Sequence, residues 1–224
     1  MKNIIKNTKL EILIANYFRI LLTVSAIISF IRVDYLDFFI AIITLFLTFL
    51  PRIIANRNHI KLPASYQIII LAFIFAAQYL GELNAYYYKY WWWDSMLHTL
   101  SGVILGFVGV LLVYILNKEE NVDVYLSPFF VALFAFTFAV ATGALWEIFE
   151  FAMDSFFGLN MQKSGLVDTM WDLIVDSIGA IVAAFYGFMY EKKQGSERVN
   201  RLFTNFLSIN KEIFENDDKI DKSL

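Results

Sequence analysis

Asp94 and His98, Glu147 and Glu150, and Asp172 and Asp176 stand three or four residues apart inside otherwise apolar stretches. Residues at that spacing share a helix face, so each pair presents its polar groups in one direction. An oxygen-rich set with one imidazole suits a divalent cation such as Mg, Mn, Fe or Zn, without selecting among them. The same groups can also do general acid–base work. The candidate catalytic residues are Asp94, His98, Glu147 and Asp172. The candidate metal ligands are those four with Glu150 and Asp176, Asp176 also being able to act from behind as a support for the others. Blander roles compete with these. Asp94 and Asp168 suit helix N-caps, and carboxylates at helix N-termini are favoured by the dipole. Glu150 and Asp154 can reach outer water. Ser101, one turn from His98, is a weak nucleophile candidate.

Several carboxylates around one His cannot all be ionised in a low-dielectric pocket without a counter-charge. Either some hold protons or a cation is bound. No Lys or Arg is expected at their depth. The set lacks the Glu-x-x-His pairs of di-iron bundles and the His-rich zinc motifs.

These residues need rigid elements to hold them, and composition says which kind. The chain has 224 residues, 59% hydrophobic and 17% charged, with a mean hydropathy of +0.59. Soluble domains carry roughly 25% charged residues, so this chain is displaced toward lipid. It has no Cys, which removes disulfides, zinc-thiolate sites and a thiol nucleophile. A net charge of −3 argues against nucleic acid as a partner. Apolar blocks near 11–31, 36–54, 64–83, 94–116, 127–150 and 171–190 are each of bilayer-spanning length, which is about 20 residues for a helix. Lipid-facing backbone must bond internally, so the expected fold is all-α, a polytopic bundle of six transmembrane helices. Pro51 and Arg52 interrupt the second block. Lys2, Lys6 and Lys9 ahead of the first block resemble a signal peptide, but no small-residue cleavage site follows.

Residues 1–190 then form the six-span domain, and 191–224 a polar cytoplasmic tail. Alternate connections divide Lys and Arg unevenly, eleven (Lys2, Lys6, Lys9, Arg52, Arg57, Lys61, Lys118, Lys192, Lys193, Arg198, Arg201) against three (Arg32, Lys89, Lys163). By the positive-inside rule both termini are cytoplasmic, in a multi-pass protein of the cell membrane. All three polar sets then fall at the outer end of the bundle. Gly102 and Gly106, Ala135, Ala139 and Gly143, and Gly179, Ala183 and Gly187 supply small faces that let spans four to six pack closely. Arg19 is expected to snorkel from span one to the inner face. Tyr86 to Tyr88, Tyr90 and Trp91 to Trp93 suit an outer aromatic belt better than a substrate platform. In the tail, Val199, Leu202, Phe203, Phe206, Ile209 and Ile213 recur at helical spacing. That describes either a helix in the inner interface or one packed on the bundle.

The stretch WWWDSMLHTLSGVILGF, then ALWEIFEFAMD, then DTMWDLIVDSIGAIVAAF resembles the YjdF-like bacterial membrane proteins. More distantly it is similar to the VanZ-like family, with its Asp-x-x-x-His helix, later Glu, and Asp-x-x-x-Asn-x-x-Gly helix. On that resemblance Asp94, His98, Glu147, Asp172, Asp176 and Gly179 occupy the polar family positions. Ser95 stands where VanZ-like proteins often have Lys, and Asp176 where they often have Asn. The resemblance covers the second half of the chain. It implies a multi-span protein of the bacterial cytoplasmic membrane and, for the VanZ-like relatives, an association with glycopeptide resistance and the envelope.

Three functions compete. The first is a membrane enzyme acting on an envelope lipid or lipid-linked cell-wall precursor at the outer leaflet, with a divalent metal or acid–base pair at the polar set. The second is a proton or metal-ion transporter. Against it, the inner halves of spans four to six are nearly uninterrupted apolar residues. The third is a non-catalytic envelope scaffold or sensor. The bilayer is a partner in all three.

Overall fold

The structure is a computed structural model, described here for residues 2–57, 59–116, 127–192, 204–206 and 208–210. It is helical among the described residues, with no strand, and six of its helical stretches are long and apolar enough to cross a membrane. The chain falls into two compact units, residues 1–93 with 205–213, and residues 94–204 with 214–224.

The first unit opens with α1 (Lys2–Ile31), α2 (Tyr35–Leu47) and α3 (Leu50–Arg57). Asp34 caps α2 by accepting the Asp37 N–H at 3.4 Å. The second span runs Tyr35–Arg57, longer than the block read from sequence, with a break at Thr48 and Phe49. Pro51 has no N–H to continue the ladder and sits where a new first turn can accept it. Arg19 uses that break. Its Nε donates to Thr48 Oγ1 at 3.1 Å, an Nη to Thr48 O at 3.2 Å, and the guanidinium lies 3.8 Å from the Phe49 ring centroid. The helix break therefore gives Arg19 its polar partners.

The third span, Ala64–Leu83, has the bounds read from sequence and is made of α4 (Ala64–Ile74) continuing into a π-helical segment, Phe75–Leu83. Asn84 donates its side-chain amide to Tyr79 O at 2.7 Å where that segment ends. A short α5 (Tyr86–Lys89) follows, and the Tyr86 ring meets Trp93 edge-on at 4.9 Å. Of the apolar tail positions, Val199, Leu202, Phe203 and Ile213 lie outside the described residues, as do Lys118, Lys193, Arg198 and Arg201. Phe206 is buried 5.8 Å from the Tyr66 ring, and Asn210 clasps the Lys61 backbone by accepting its N–H at 2.6 Å and donating to its carbonyl at 2.9 Å. Phe206 and Asn210 thus belong to the first unit.

The second unit holds α6 (Trp93–Leu116), α7 (Pro128–Phe157) and α8 (Leu166–Glu191). Ser127 caps α7 by accepting the Phe130 N–H at 3.2 Å, with Pro128 following at the first helical position. α7 runs two turns past the expected end at residue 150, and α8 starts five residues before the expected 171. The apolar blocks stop short of these ends, yet a carboxylate in the last or first turn of a long helix is no obstacle when it has a partner. Asp94 and Asp168 accordingly lie in first turns of α6 and α8 and are not N-caps.

Small residues decide how these three helices pack. A Cβ at Gly102 would strike the Asp176 carbonyl oxygen, and one at Gly179 would strike the Thr99 carbonyl oxygen and lie 2.9 Å from Val103 N. A Cβ at Gly109 would lie 2.9 Å from Ala135 Cα. The backbones are in direct contact, as expected where helix association in lipid depends on close packing.

Candidate polar site in the second unit

His98 sits one turn into α6, and its ring is surrounded by carboxylates from all three helices. Nε2 lies 3.8 Å from Asp94 Oδ1 and 3.9 Å from Asp172 Oδ2. Nδ1 lies 3.2 Å from Asp176 Oδ2 and 4.0 Å from Glu147 Oε1. The N-terminal ends of α6 and α8 and the C-terminal part of α7 therefore meet around one imidazole. Glu147, Asp172 and Asp176 are 4%, 3% and 2% exposed. An apolar shell sets this up: Leu145, Ile148 and Phe149 turn outward from α7, leaving Glu147 and Glu150 on its packed face.

The two sides of the ring differ. On the Nδ1 side Asp176 is fixed, because its Oδ1 accepts the Ser101 hydroxyl at 2.6 Å. Gly143 makes room for it, since a Cβ there would lie 2.6 Å from Asp176 Oδ2. With the proton on Nδ1, Asp176 accepts it and the Nε2 lone pair points at Asp94 and Asp172. A lone pair facing two carboxylates is repulsive unless a proton or a cation lies between them. Asp94, His98 and Asp172 each offer a ligand atom within 4.8 Å of the other two. Ligand atoms on a Zn-like ion stand roughly 3–3.5 Å apart, so a modest contraction would suffice. With a cation there, Asp176, His98 and the ion would stand in the carboxylate–His–metal order that commonly orients a ligand ring.

The remaining candidates separate. Glu150 accepts the Trp146 indole N–H at 2.8 Å, one turn back on its own helix, and is buried instead of reaching water. Both Glu147 carboxylate oxygens are buried with no hydrogen-bond partner. The Ser101 hydroxyl lies within hydrogen-bond distance of the His98 carbonyl at 2.8 Å and Asp176 Oδ1 at 2.6 Å.

One expectation is overturned. Lys163 does reach the cluster, its Nζ donating to Asp94 Oδ2 at 2.6 Å. The connection between α7 and α8 folds back to bring it there. Gly158, with φ +67°, ends α7, and Gly165, with φ +64°, begins α8; both take conformations that favour glycine. Between them Asp154 accepts the Met161 N–H at 2.7 Å and the Gln162 N–H at 2.9 Å. Asp154 is thus a clamp on the connection. Sequence spacing could not show this, because loop residues carry no periodicity. Asp154→Ala should free the 158–165 connection, read as faster amide exchange at Met161 and Gln162 with α6 to α8 still protected. Unchanged exchange there would contradict the clamp.

Fold and site together define a polytopic helical membrane protein with a buried polar cluster at one end of a three-helix unit. The chain belongs to the family described as predicted membrane protein (DUF2238), which matches residues 14–193. It is 29% identical over 147 residues to a protein of Thermotoga maritima described as uncharacterized, covering 66% of this chain and 73% of that one. No solved structure gives a significant match.

Proposed function

We propose that the second unit holds a divalent cation between Asp94, His98 and Asp172, and that the site serves an envelope lipid or lipid-linked cell-wall precursor. The observation that carries this reading is the divided imidazole, with Nδ1 bonded toward Asp176 and Nε2 facing two carboxylates. The Lys and Arg asymmetry supports an outward-facing site and cytoplasmic termini. The VanZ-like resemblance supports an envelope substrate.

In this reading Asp176 and Ser101 hold the ring in the tautomer that ligates. Glu147, with both oxygens unbonded, is the group available to take a proton on the inner side. A bound cation would supply Lewis acidity toward an ester or phosphoryl oxygen.

Elemental analysis of purified protein beside Asp172→Ala tests the cation. About one divalent ion per wild-type chain and far less in the variant is expected, and substoichiometric metal in both would end the reading. A reporter fused after Lys192 should read as cytoplasmic; an extracytoplasmic signal would reverse the orientation.

A further inference from the structure

Lys163 and the proposed cation call on the same carboxylate. Asp94 gives Oδ2 to the Lys163 ammonium at 2.6 Å, while its Oδ1 lies 3.8 Å from His98 Nε2. Asp94 is also one of the three residues whose ligand atoms come within 4.8 Å of one another. A divalent ion held there has an ammonium on one of its own ligands, and like charges that close repel.

The cluster as a whole calls for positive charge. Asp94, Asp168 and Asp172 stand together with Glu147, Glu150 and Asp176, and among the described residues Lys163 is the one Lys or Arg that pairs with any of them. Glu147, 4% exposed and with neither oxygen bonded, is a carboxylate that the chain's own donors leave unsatisfied. The Lys163 backbone is fixed. Asp168 accepts its N–H, and Gln162 beside it is held by Asp154 and donates to Thr169 Oγ1 at 2.7 Å. Its side chain can move, because it keeps 26% of its surface exposed against 4% for Asp172, and a flexible four-carbon stem can carry the ammonium to water.

Resting on the cation site proposed above, we infer that Lys163 is a tethered counter-cation that competes with the divalent ion for Asp94. As the ion settles on Asp94, His98 and Asp172, the ammonium swings outward. As the ion leaves, the ammonium returns and neutralises Asp94 in its place. Without such a stand-in, each release would leave a partly buried carboxylate uncompensated, which is costly. A Lys that only oriented Asp94 toward the ion would act on affinity in the opposite direction, so the two roles separate cleanly.

The test uses the full chain in phosphatidylcholine nanodiscs, titrated with Mn²⁺, with His98→Ala discs as background. The chain has no Cys, so Lys163→Cys places a single thiol at this position. Lys163→Cys and Lys163→Gln should each bind Mn²⁺ about fivefold or more tightly than wild type. Aminoethyl methanethiosulfonate then restores an ammonium on a stem of nearly lysine's length, and the affinity of Lys163→Cys should fall back toward wild type. The neutral methyl methanethiosulfonate should leave the tight binding in place. These states come from one preparation, so a folding defect cannot imitate the pattern. Equal or weaker binding in both variants overturns the inference and leaves the cation site standing, and so does tight binding that survives the restored ammonium. Mn²⁺ binding no better than background in wild type and in both variants overturns the cation site itself, and this inference with it.

Discussion

Gly179→Leu is expected to prevent α6 and α8 from packing. The obstacle is backbone, since the new Cβ would strike the Thr99 carbonyl oxygen and lie 3.1 Å from Thr99 C. Ordinary overpacking costs roughly 1–3 kcal/mol because side chains can shift. Here a helix would have to move, and the packed face would move with it. Gly179→Ala should already be damaging for the same reason. Gly106 gives the contrast. Its added Cβ would clash with the Ala183 Cβ, while the Ala180 backbone lies at ordinary contact distance, 3.7 Å and beyond, so Gly106→Ala should be rescued in part by Ala183→Gly. No single side-chain truncation should rescue Gly179→Ala. Yield of monodisperse detergent-extracted protein, with its melting temperature, checks both. A Gly179→Leu chain of wild-type yield and melting temperature would mean that the α6–α8 contact is not as described.

Much of this was legible in the sequence because lipid makes simple demands. Span length and apolar composition fixed six helices, since unbonded backbone cannot face hydrocarbon. Helical spacing put Asp94 with His98 and Asp172 with Asp176, and the small residues marked the faces that touch. Helix ends were harder. α7 continues through Glu150 and Asp154 because Trp146 and the backbone of Met161 and Gln162 satisfy those carboxylates. Such partners come from three-dimensional placement and leave no periodic trace. The same holds for Lys163, counted as an outer-loop charge and found on Asp94. For Arg19 the signal was present in Pro51, but a helix break reads from sequence only as an interruption, without the residue it serves.

The six metal candidates also divided for a reason spacing could not supply. An i, i+3 or i, i+4 pair shares a face, but a face is wider than a coordination sphere. Glu147 and Glu150 share one, yet Glu150 is taken by an indole N–H and Glu147 stands on the Nδ1 side. Asp176 shares a face with Asp172 but bonds Nδ1, while Asp172 faces Nε2. In the cation site proposed above, the imidazole would sort the carboxylates into those that ligate and one that orients.

That sorting gives a graded expectation. His98→Ala removes the nitrogen common to both sides, so metal binding should be lost and a chelator should no longer lower the melting temperature. In wild type the chelator should lower it, because a cation that binds the folded state stabilises it by mass action. Asp176→Asn should be milder. The amide oxygen can still accept from Nδ1, but the charge that makes Nε2 a better ligand is gone. Changes to a group supporting a ligating His typically cost 10–100-fold in metal affinity, or about 1.4–2.7 kcal/mol. Ser101 can turn wholly to the His98 carbonyl, which it already meets at 2.8 Å, so the amide need not break the local packing. The order wild type, then Asp176→Asn, then His98→Ala in Mn²⁺ affinity is the signature of a ligating imidazole held from behind. A purely structural hydrogen bond would give no such order. Equal Mn²⁺ affinity in all three, with chelator-independent melting, would leave His98 as an assembly contact between three helices.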